Sequence, residues 1–220
     1  MTTLPAVTLE PHGSATSAVL WLHGLGASGH DFVPIVPHLG LPNTRFVFPH
    51  APDRPVTINS GHVMPAWYDI TSLSPGPNRE PEADIREASA QVMAWLARIE
   101  AEGVPPERTV LAGFSQGGAM ALHVGHRYDK RLAGIMVLSA YEVLEGTRAS
   151  EGQAANAETP MLFCHGSVDD VVAMRRGKQA HAAYATDGRD VRWHDFPMAH
   201  QVSMEEIGVI KRWLGERIEG

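Results

Sequence analysis

Short apolar runs recur along the chain and alternate with segments of helical periodicity. The runs hold four to six residues, and most of them are rich in Val, Leu, Ile, Phe or Met, which is typical of buried strands. The predicted strands are Ala18–Leu22, Arg45–Phe48, Thr109–Ala112, Gly134–Leu138, Met161–Cys164 and Val191–Phe196.

Helical spacing is clearest in Ala83–Glu102, where the apolar residues Ile85, Ala88, Val92, Trp95, Leu96 and Ile99 define one face. Further helices are predicted over Gly118–Tyr128, Met174–Tyr184 and about Val202–Ile218. Because strands alternate with helices, we expect an α/β fold with a mostly parallel central sheet and helices on both faces. Such folds place their sites at the C-terminal ends of the strands.

Two segments interrupt the alternation. Pro49–Pro81 contains seven prolines and predicts a long ordered loop, with room for short strand pieces. The polar stretch Glu142–Glu158 is predicted to be a flexible connection.

Composition narrows the class of protein. The length of 220 residues and an apolar fraction of 44% predict a single globular domain over residues 1–220. The formal charge of -7, without a Lys/Arg cluster, argues against a nucleic-acid partner. We expect no signal peptide and no integral membrane association, because no apolar stretch is long enough. One cysteine, Cys164, cannot form an intramolecular disulfide, which favours a cytoplasmic location.

The segment Gly113-Phe114-Ser115-Gln116-Gly117 carries the clearest chemical signal. It has the pattern G-x-S-x-G between a predicted strand and a predicted helix, which is the setting of a nucleophile elbow. The tight turn strains the serine backbone and requires Gly on both sides. We therefore predict that Ser115 is a catalytic nucleophile.

A serine nucleophile needs a base, and the base needs an acid, in the chain order Ser, acid, His. Asp169 and Asp170 both follow the predicted strand Met161–Cys164, and the pattern alone does not separate them. His200 follows the last predicted strand and is the candidate base. No metal and no organic cofactor are required for this chemistry.

The oxyanion of such a reaction needs backbone donors. The N–H of Gln116, directly after the serine, is one candidate, and the N–H of Leu25 in the Gly-rich loop after the first predicted strand is the other. The segment Gly24–Gly29 also matches the dinucleotide pattern G-x-G-x-x-G, but no acidic ribose partner follows at the expected distance.

Seven segments in order resemble the phospholipase/carboxylesterase family of α/β-hydrolases. They are Leu22–Ala27, Pro49–Pro52, Met64–Asp69, Gly113–Gly118, Leu138–Tyr141, His165–Asp169 and Met198–His200. The resemblance implies an α/β-hydrolase fold without a large cap domain, and it assigns the nucleophile to Ser115, the acid to Asp169, the base to His200 and the oxyanion donors to Leu25 and Gln116. One departure from the family pattern is Asp170, where members commonly have Pro.

We expect a serine carboxylesterase acting on short- to medium-chain esters. The loop Pro49–Pro81 should supply an apolar pocket through Met64, Trp67, Tyr68 and Leu73, although these side chains could equally pack the loop onto the domain. The alternatives are an acyl-protein thioesterase or lysophospholipase, which would use the same residues, and a non-catalytic hydrolase-like binding module. The expected partner is a small ester or thioester. The sequence leaves the oligomeric state open, and a homodimer is one arrangement that it allows.

Overall fold

A computed structural model describes residues 3–72, 79–185 and 189–219. Its strands are β1 (Ala6–Leu9), β2 (Ser17–Leu22), β3 (Thr44–Pro49), β4 (Asp53–Val56), β5 (His62–Pro65), β6 (Thr109–Phe114), β7 (Gly134–Leu138), β8 (Met161–Gly166) and β9 (Val191–Phe196). Its α-helices are α1 (Val36–Leu39), α2 (Glu82–Ala101), α3 (Gln116–Arg127), α4 (Arg148–Glu151), α5 (Met174–Tyr184) and α6 (Met204–Ile218).

Seven strands form one sheet in the order β1-β3-β2-β6-β7-β8-β9. All neighbouring strands are parallel except β1, which runs antiparallel to β3. Parallel sheets are normally covered on both faces, and the strands β2, β7 and β8 are buried along their whole length. The predicted α/β-hydrolase fold is confirmed, and no large cap domain occurs among the described residues.

The sheet divides the core into two layers. Ala18, Leu20 and Leu22 of β2 point into the layer that holds the apolar faces of α2, α3 and α5. Val19 and Trp21, which alternate with them, point into the layer of α1 and α6. This alternation follows from the two-residue period of a strand.

Two features differ from the sequence-based expectations, and a third agrees with them. Strand β1 was not predicted, because its four residues are mostly half-buried and form a weak apolar run. The loop from Pro49 contains short strand pieces, as it was expected to have room for, and they form the antiparallel hairpin β4–β5. Between residues 142 and 158 the chain forms α4 flanked by two 3-10 turns, instead of a flexible connection.

The order of this polar stretch has a physical cause. Asn156 is fully buried, and its side chain accepts a hydrogen bond from the Leu132 N–H and donates to the Tyr128 and Lys130 carbonyls. Glu151 of α4 pairs with Arg127 at 2.7 Å. Specific hydrogen bonds, which composition does not reveal, therefore fix the segment.

Among the described residues, none of the helices combines the length and the apolar character needed to cross a membrane.

Candidate active site

Ser115 lies at the sharp turn between β6 and α3. Its backbone has φ 54° and ψ -120°, a left-handed conformation that is costly for a residue with a side chain. A Cβ on Gly113 would lie 2.2 Å from the Gly117 carbonyl oxygen, and one on Gly117 would lie 2.3 Å from the Leu22 carbonyl oxygen. Close backbone packing thus explains why glycine flanks the serine.

The structure brings Ser115, His200 and Asp169 together. His200 Nε2 lies 2.9 Å from Ser115 Oγ, and His200 Nδ1 lies 2.7 Å from Asp169 Oδ2. A carboxylate only accepts hydrogen bonds, so Nδ1 carries the ring proton in this contact and the Nε2 lone pair faces the serine hydroxyl. The geometry is that of a base directed at a nucleophile.

The two adjacent carboxylates occupy opposite environments. The Asp169 side chain is fully buried, and its Oδ1 accepts hydrogen bonds from the Val171 and Val172 N–H groups at 2.9 and 2.8 Å. Asp170 is exposed. Of the two candidates, only Asp169 contacts His200.

His165 is a neighbour of Asp169 for which the sequence predicted no catalytic role. Its Nε2 donates to the Val172 carbonyl at 2.8 Å and lies 3.5 Å from Asp169 Oδ2. Burial lowers the pKa of His165, which keeps the ring neutral and its role structural. Its position four residues before Asp169 is a sequence signal that could have indicated this contact.

The two predicted oxyanion donors also border the serine. Gln116 is the first residue of α3, so its N–H is one of those that a helix leaves without an intrahelical acceptor. The Leu25 N–H meets no acceptor within the described residues, whereas the next amide, that of Gly26, donates to the Pro65 carbonyl at 2.8 Å. Both Leu25 and Gln116 line the same cleft as Ser115.

The Gln116 side chain ties the loop after β5 to the elbow. Its Oε1 accepts from the Trp67 N–H at 2.8 Å, and its Nε2 donates to the Tyr68 carbonyl at 2.7 Å. The Trp67 indole N–H donates to the His23 carbonyl at 2.9 Å. Because these groups are buried, their hydrogen bonds fix the loop and the amide of Gln116 together.

His23 braces the neighbouring turn. Its Nε2 accepts from the Ala51 N–H at 3.0 Å, and its Nδ1 donates to the Gly24 carbonyl at 2.7 Å. Burial lowers the pKa of His23. The neutral ring therefore stabilises, through these two hydrogen bonds, the loop that carries Leu25.

A cleft of about 500 Å³ opens beside Ser115. Its walls are mainly apolar, and they combine residues from the loops after β2, β4, β5, β7, β8 and β9 with the turn at Ser115. The lining residues other than Ser115, His200, Leu25 and Gln116 are Gly24, Ala27, Asp31, Phe32, Ile35, Ile58, Ile70, Arg79, Phe114, Tyr141, Val171, Val172, Gln201 and Val202.

The predicted pocket residues require a correction. Trp67 and Tyr68 are fully buried and pack the loop onto the core, where the Tyr68 hydroxyl lies 3.0 Å from that of Tyr141. Met64 is not on the cleft wall either, and its sulfur accepts from Asn59 Nδ2 at 3.3 Å. Leu73 lies outside the described residues. The large side chains of Trp67 and Tyr68 thus pack the loop onto the domain, which was the alternative for these residues, and Ile58 and Ile70 reach the cleft.

No group of three or more His, Cys, Asp or Glu side chains suited to a metal ion occurs in the part of the chain that the structure describes.

The chain is similar in sequence and in structure to known proteins. Residues 5–218 match the family described as phospholipase/carboxylesterase. An acyl-protein thioesterase 1 of Yarrowia lipolytica is 33% identical, with 98% of each chain covered. The crystal structure of SOBER1 from Arabidopsis thaliana is 34% identical, covers 92% of this chain and 99% of its own, and superimposes with a TM-score of 0.84. The crystal structure of esterase PE8 is 28% identical, covers 98% and 100%, and gives a TM-score of 0.86.

Proposed function

Since the chain belongs to the phospholipase/carboxylesterase family, we propose that it is a serine hydrolase that cleaves carboxylic esters of short to medium chain length through an acyl-enzyme. The observation that carries this proposal is the continuous contact from Asp169 through His200 to Ser115, at 2.7 and 2.9 Å. The same arrangement of acid, imidazole and hydroxyl occurs in unrelated folds, where it performs acyl transfer.

In the first step, Ser115 Oγ attacks the ester carbonyl while His200 Nε2 accepts the hydroxyl proton. The imidazolium that forms is stabilised by Asp169, whose carboxylate is oriented by hydrogen bonds from two backbone N–H groups. The backbone N–H groups of Leu25 and Gln116 donate to the oxyanion of the tetrahedral intermediate. His200 then protonates the leaving alcohol, and the ester bond breaks.

In the second step, His200 takes a proton from water, which attacks the acyl-serine. A second tetrahedral intermediate uses the same donors, and its collapse returns the proton to Ser115 and releases the acid. The mainly apolar cleft of about 500 Å³ suits the hydrocarbon part of an acyl group.

A second candidate is a thioesterase acting on acylated proteins. It is supported by the Yarrowia lipolytica relative, which is an acyl-protein thioesterase 1, and it would use the same residues. A panel of acyl esters and thioesters of equal chain length separates the two. A carboxylesterase has the higher kcat/KM for the oxygen esters, whereas a thioesterase has the higher kcat/KM for the thioesters.

The proposal is tested by labelling with a fluorophosphonate, followed by peptide mapping. We expect one modified residue, Ser115, and we expect Ser115→Ala to abolish both labelling and turnover of a p-nitrophenyl short-chain ester. Ser167→Ala, at an exposed serine, is the matched control and should keep both. Activity retained in Ser115→Ala would contradict the assignment, and an unlabelled, inactive wild type would favour the binding-module alternative.

A further inference from the structure

The cleft beside Ser115 contains a guanidinium that the proposed reaction does not use. Arg79 lines the cleft, and its side chain is only 10% exposed. Its backbone is held in place, because its carbonyl accepts from the Thr71 N–H at 2.9 Å and from the Thr71 hydroxyl at 3.0 Å. Burying a charged group is unfavourable unless a partner compensates it, so the surroundings of Arg79 are informative.

Arg79 is incompletely paired. Its Nε lies 3.3 Å from Glu80 Oε1 but makes no hydrogen bond. Within residues 3–72, 79–185 and 189–219, its terminal nitrogens donate no hydrogen bond, and this 3.3 Å approach to Glu80 is the ion pair of the Arg79 guanidinium. The guanidinium therefore has donors left for a molecule that enters the cleft.

A second guanidinium shares the same carboxylate. Arg176 Nη2 lies 3.9 Å from Glu80 Oε1, and its Cζ lies 3.5 Å from the centre of the Tyr141 ring. The Arg79 Cζ lies 5.2 Å from the same ring centre. Burial, and then repulsion from Arg79, lower the pKa of Arg176. Two cations beside one carboxylate leave a net positive charge at this wall.

The acidic residue on the cleft wall does not supply the missing partner. Asp31 Oδ1 already accepts from the Ser28 N–H at 3.1 Å and from the Ser28 hydroxyl at 2.9 Å. Tyr141, which also lines the cleft, directs its hydroxyl to Tyr68. An anion from outside the chain would complete the shell of Arg79.

We propose that Arg79 binds an anionic group of the substrate, so that the preferred esters carry a carboxylate or a phosphate in addition to the scissile bond. The inference rests on the proposed function, and it adds a class of substrate to it. A guanidinium fork matches the oxygens of either anion, while the apolar walls accommodate the chain between the anion and the ester.

Two matched substrate pairs test the proposal. The first pair is the mono-p-nitrophenyl ester of adipic acid and p-nitrophenyl hexanoate, which differ by a carboxylate on the acyl side. The second pair is monohexanoyl glycerol phosphate and monohexanoyl glycerol, which differ by a phosphate on the leaving side. The variants are Arg79→Gln, Arg79→Lys and, as a charge-matched control, Arg212→Gln, which alters an exposed arginine of α6.

We expect Arg79→Gln to lower the charged-to-neutral ratio of kcat/KM by about tenfold or more for one pair, as for the loss of a hydrogen bond to a charged group. Arg79→Lys should retain part of the ratio, and Arg212→Gln should leave it unchanged. The pair that responds identifies the anion as carboxylate or phosphate. An equal ratio in wild type and Arg79→Gln for both pairs would overturn the inference.

A binding measurement separates this inference from the proposed function. Calorimetric titration of Ser115→Ala with hexyl phosphate and with monomethyl adipate needs no turnover, and the added Arg79→Gln change should weaken binding of one ligand by about tenfold. If the wild type hydrolyses no ester but this difference holds, the proposed function fails and the anion site stands. Equal binding with and without Arg79 would refute the site.

Discussion

Asp169 and Asp170 illustrate how much one position in the chain can change a carboxylate. Asp169 is buried, accepts two backbone hydrogen bonds and contacts His200, whereas Asp170 faces solvent. Solvent and salt screen an exposed charge, so its influence on the imidazole is small. The difference arises from the turn after β8, which directs only the first side chain inward.

Substituting each carboxylate separately tests this difference. We expect Asp169→Asn to lower kcat by about 10⁴, as in serine proteases, because the amide no longer stabilises the imidazolium and favours the wrong tautomer. Asp170→Asn is isosteric and lies at the surface, and its kcat should stay within about twofold of wild type. Steady-state kinetics on one p-nitrophenyl ester measures both. A comparable loss in the two variants would contradict the role proposed for Asp169.

At the scale of single residues, the sequence predicted the site residues that follow directly after strands. Ser115, His200 and the Asp169/Asp170 pair follow β6, β9 and β8, and parallel strands bring such positions to one edge. The sequence did not predict the walls of the cleft. Trp67 was expected there as an apolar residue of the loop Pro49–Pro81, but its indole N–H donates to the His23 carbonyl. No local pattern in the sequence predicts such a pairing.

At the scale of elements, the turn from β6 into α3 is tightly constrained by backbone contacts. Its backbone approaches the end of β2 so closely that a methyl group on Gly117 would lie 2.3 Å from the Leu22 carbonyl oxygen. Backbone atoms on both sides of this contact belong to the central sheet and the elbow. They cannot move apart without displacing Ser115 from His200.

We therefore expect Gly117→Ala to destabilise the fold by about 3 kcal/mol or more and to abolish detectable ester hydrolysis. Gly146→Ala is the matched control, because a Cβ there meets nothing within 4 Å and the backbone is not left-handed. Denaturant unfolding and activity of the two variants make the comparison. A Gly117→Ala protein with native stability would show that the turn can relax.

The regular elements were predictable because their apolar spacing is strong. The limits predicted for β7, β9 and α5 agree with the structure to the residue. Elements held by polar contacts were not predictable. The turns around α4 depend on Asn156 and on the pair of Arg127 with Glu151, which join residues far apart in the chain.

At the scale of the whole molecule, one buried acid makes stability depend on pH. Glu206 in the first turn of α6 is fully buried and has no cationic partner among the described residues. Burial raises its pKa from 4.5 to about 8. In the unfolded chain the same group ionises near its ordinary value, so between these two pH values the unfolded state holds fewer protons than the folded state.

The stabilising contribution of protonated Glu206 is thus complete below about pH 4.5 and is lost as pH rises toward 8, at up to about 1.4 kcal/mol per pH unit. We expect Glu206→Gln to remove this decline, so that the variant gains stability relative to wild type as pH rises across this range. Denaturant unfolding of both proteins at several pH values measures the difference. Glu205→Gln, at the exposed neighbour, is the control, and an identical pH dependence in Glu206→Gln and wild type would disprove the effect.

The order of strands in the sheet affects the stage of folding at which the protein becomes able to hydrolyse an ester. Strand β9 pairs with β8 alone, at one edge, and the loop that follows it carries His200. A folding intermediate with β2, β6, β7 and β8 assembled would already present the hydroxyl and the carboxylate, yet it would have no proton acceptor between them. During refolding, recovery of hydrolysis should therefore lag behind burial of the central tryptophan Trp21, and enzymatic turnover would report the docking of the last edge strand.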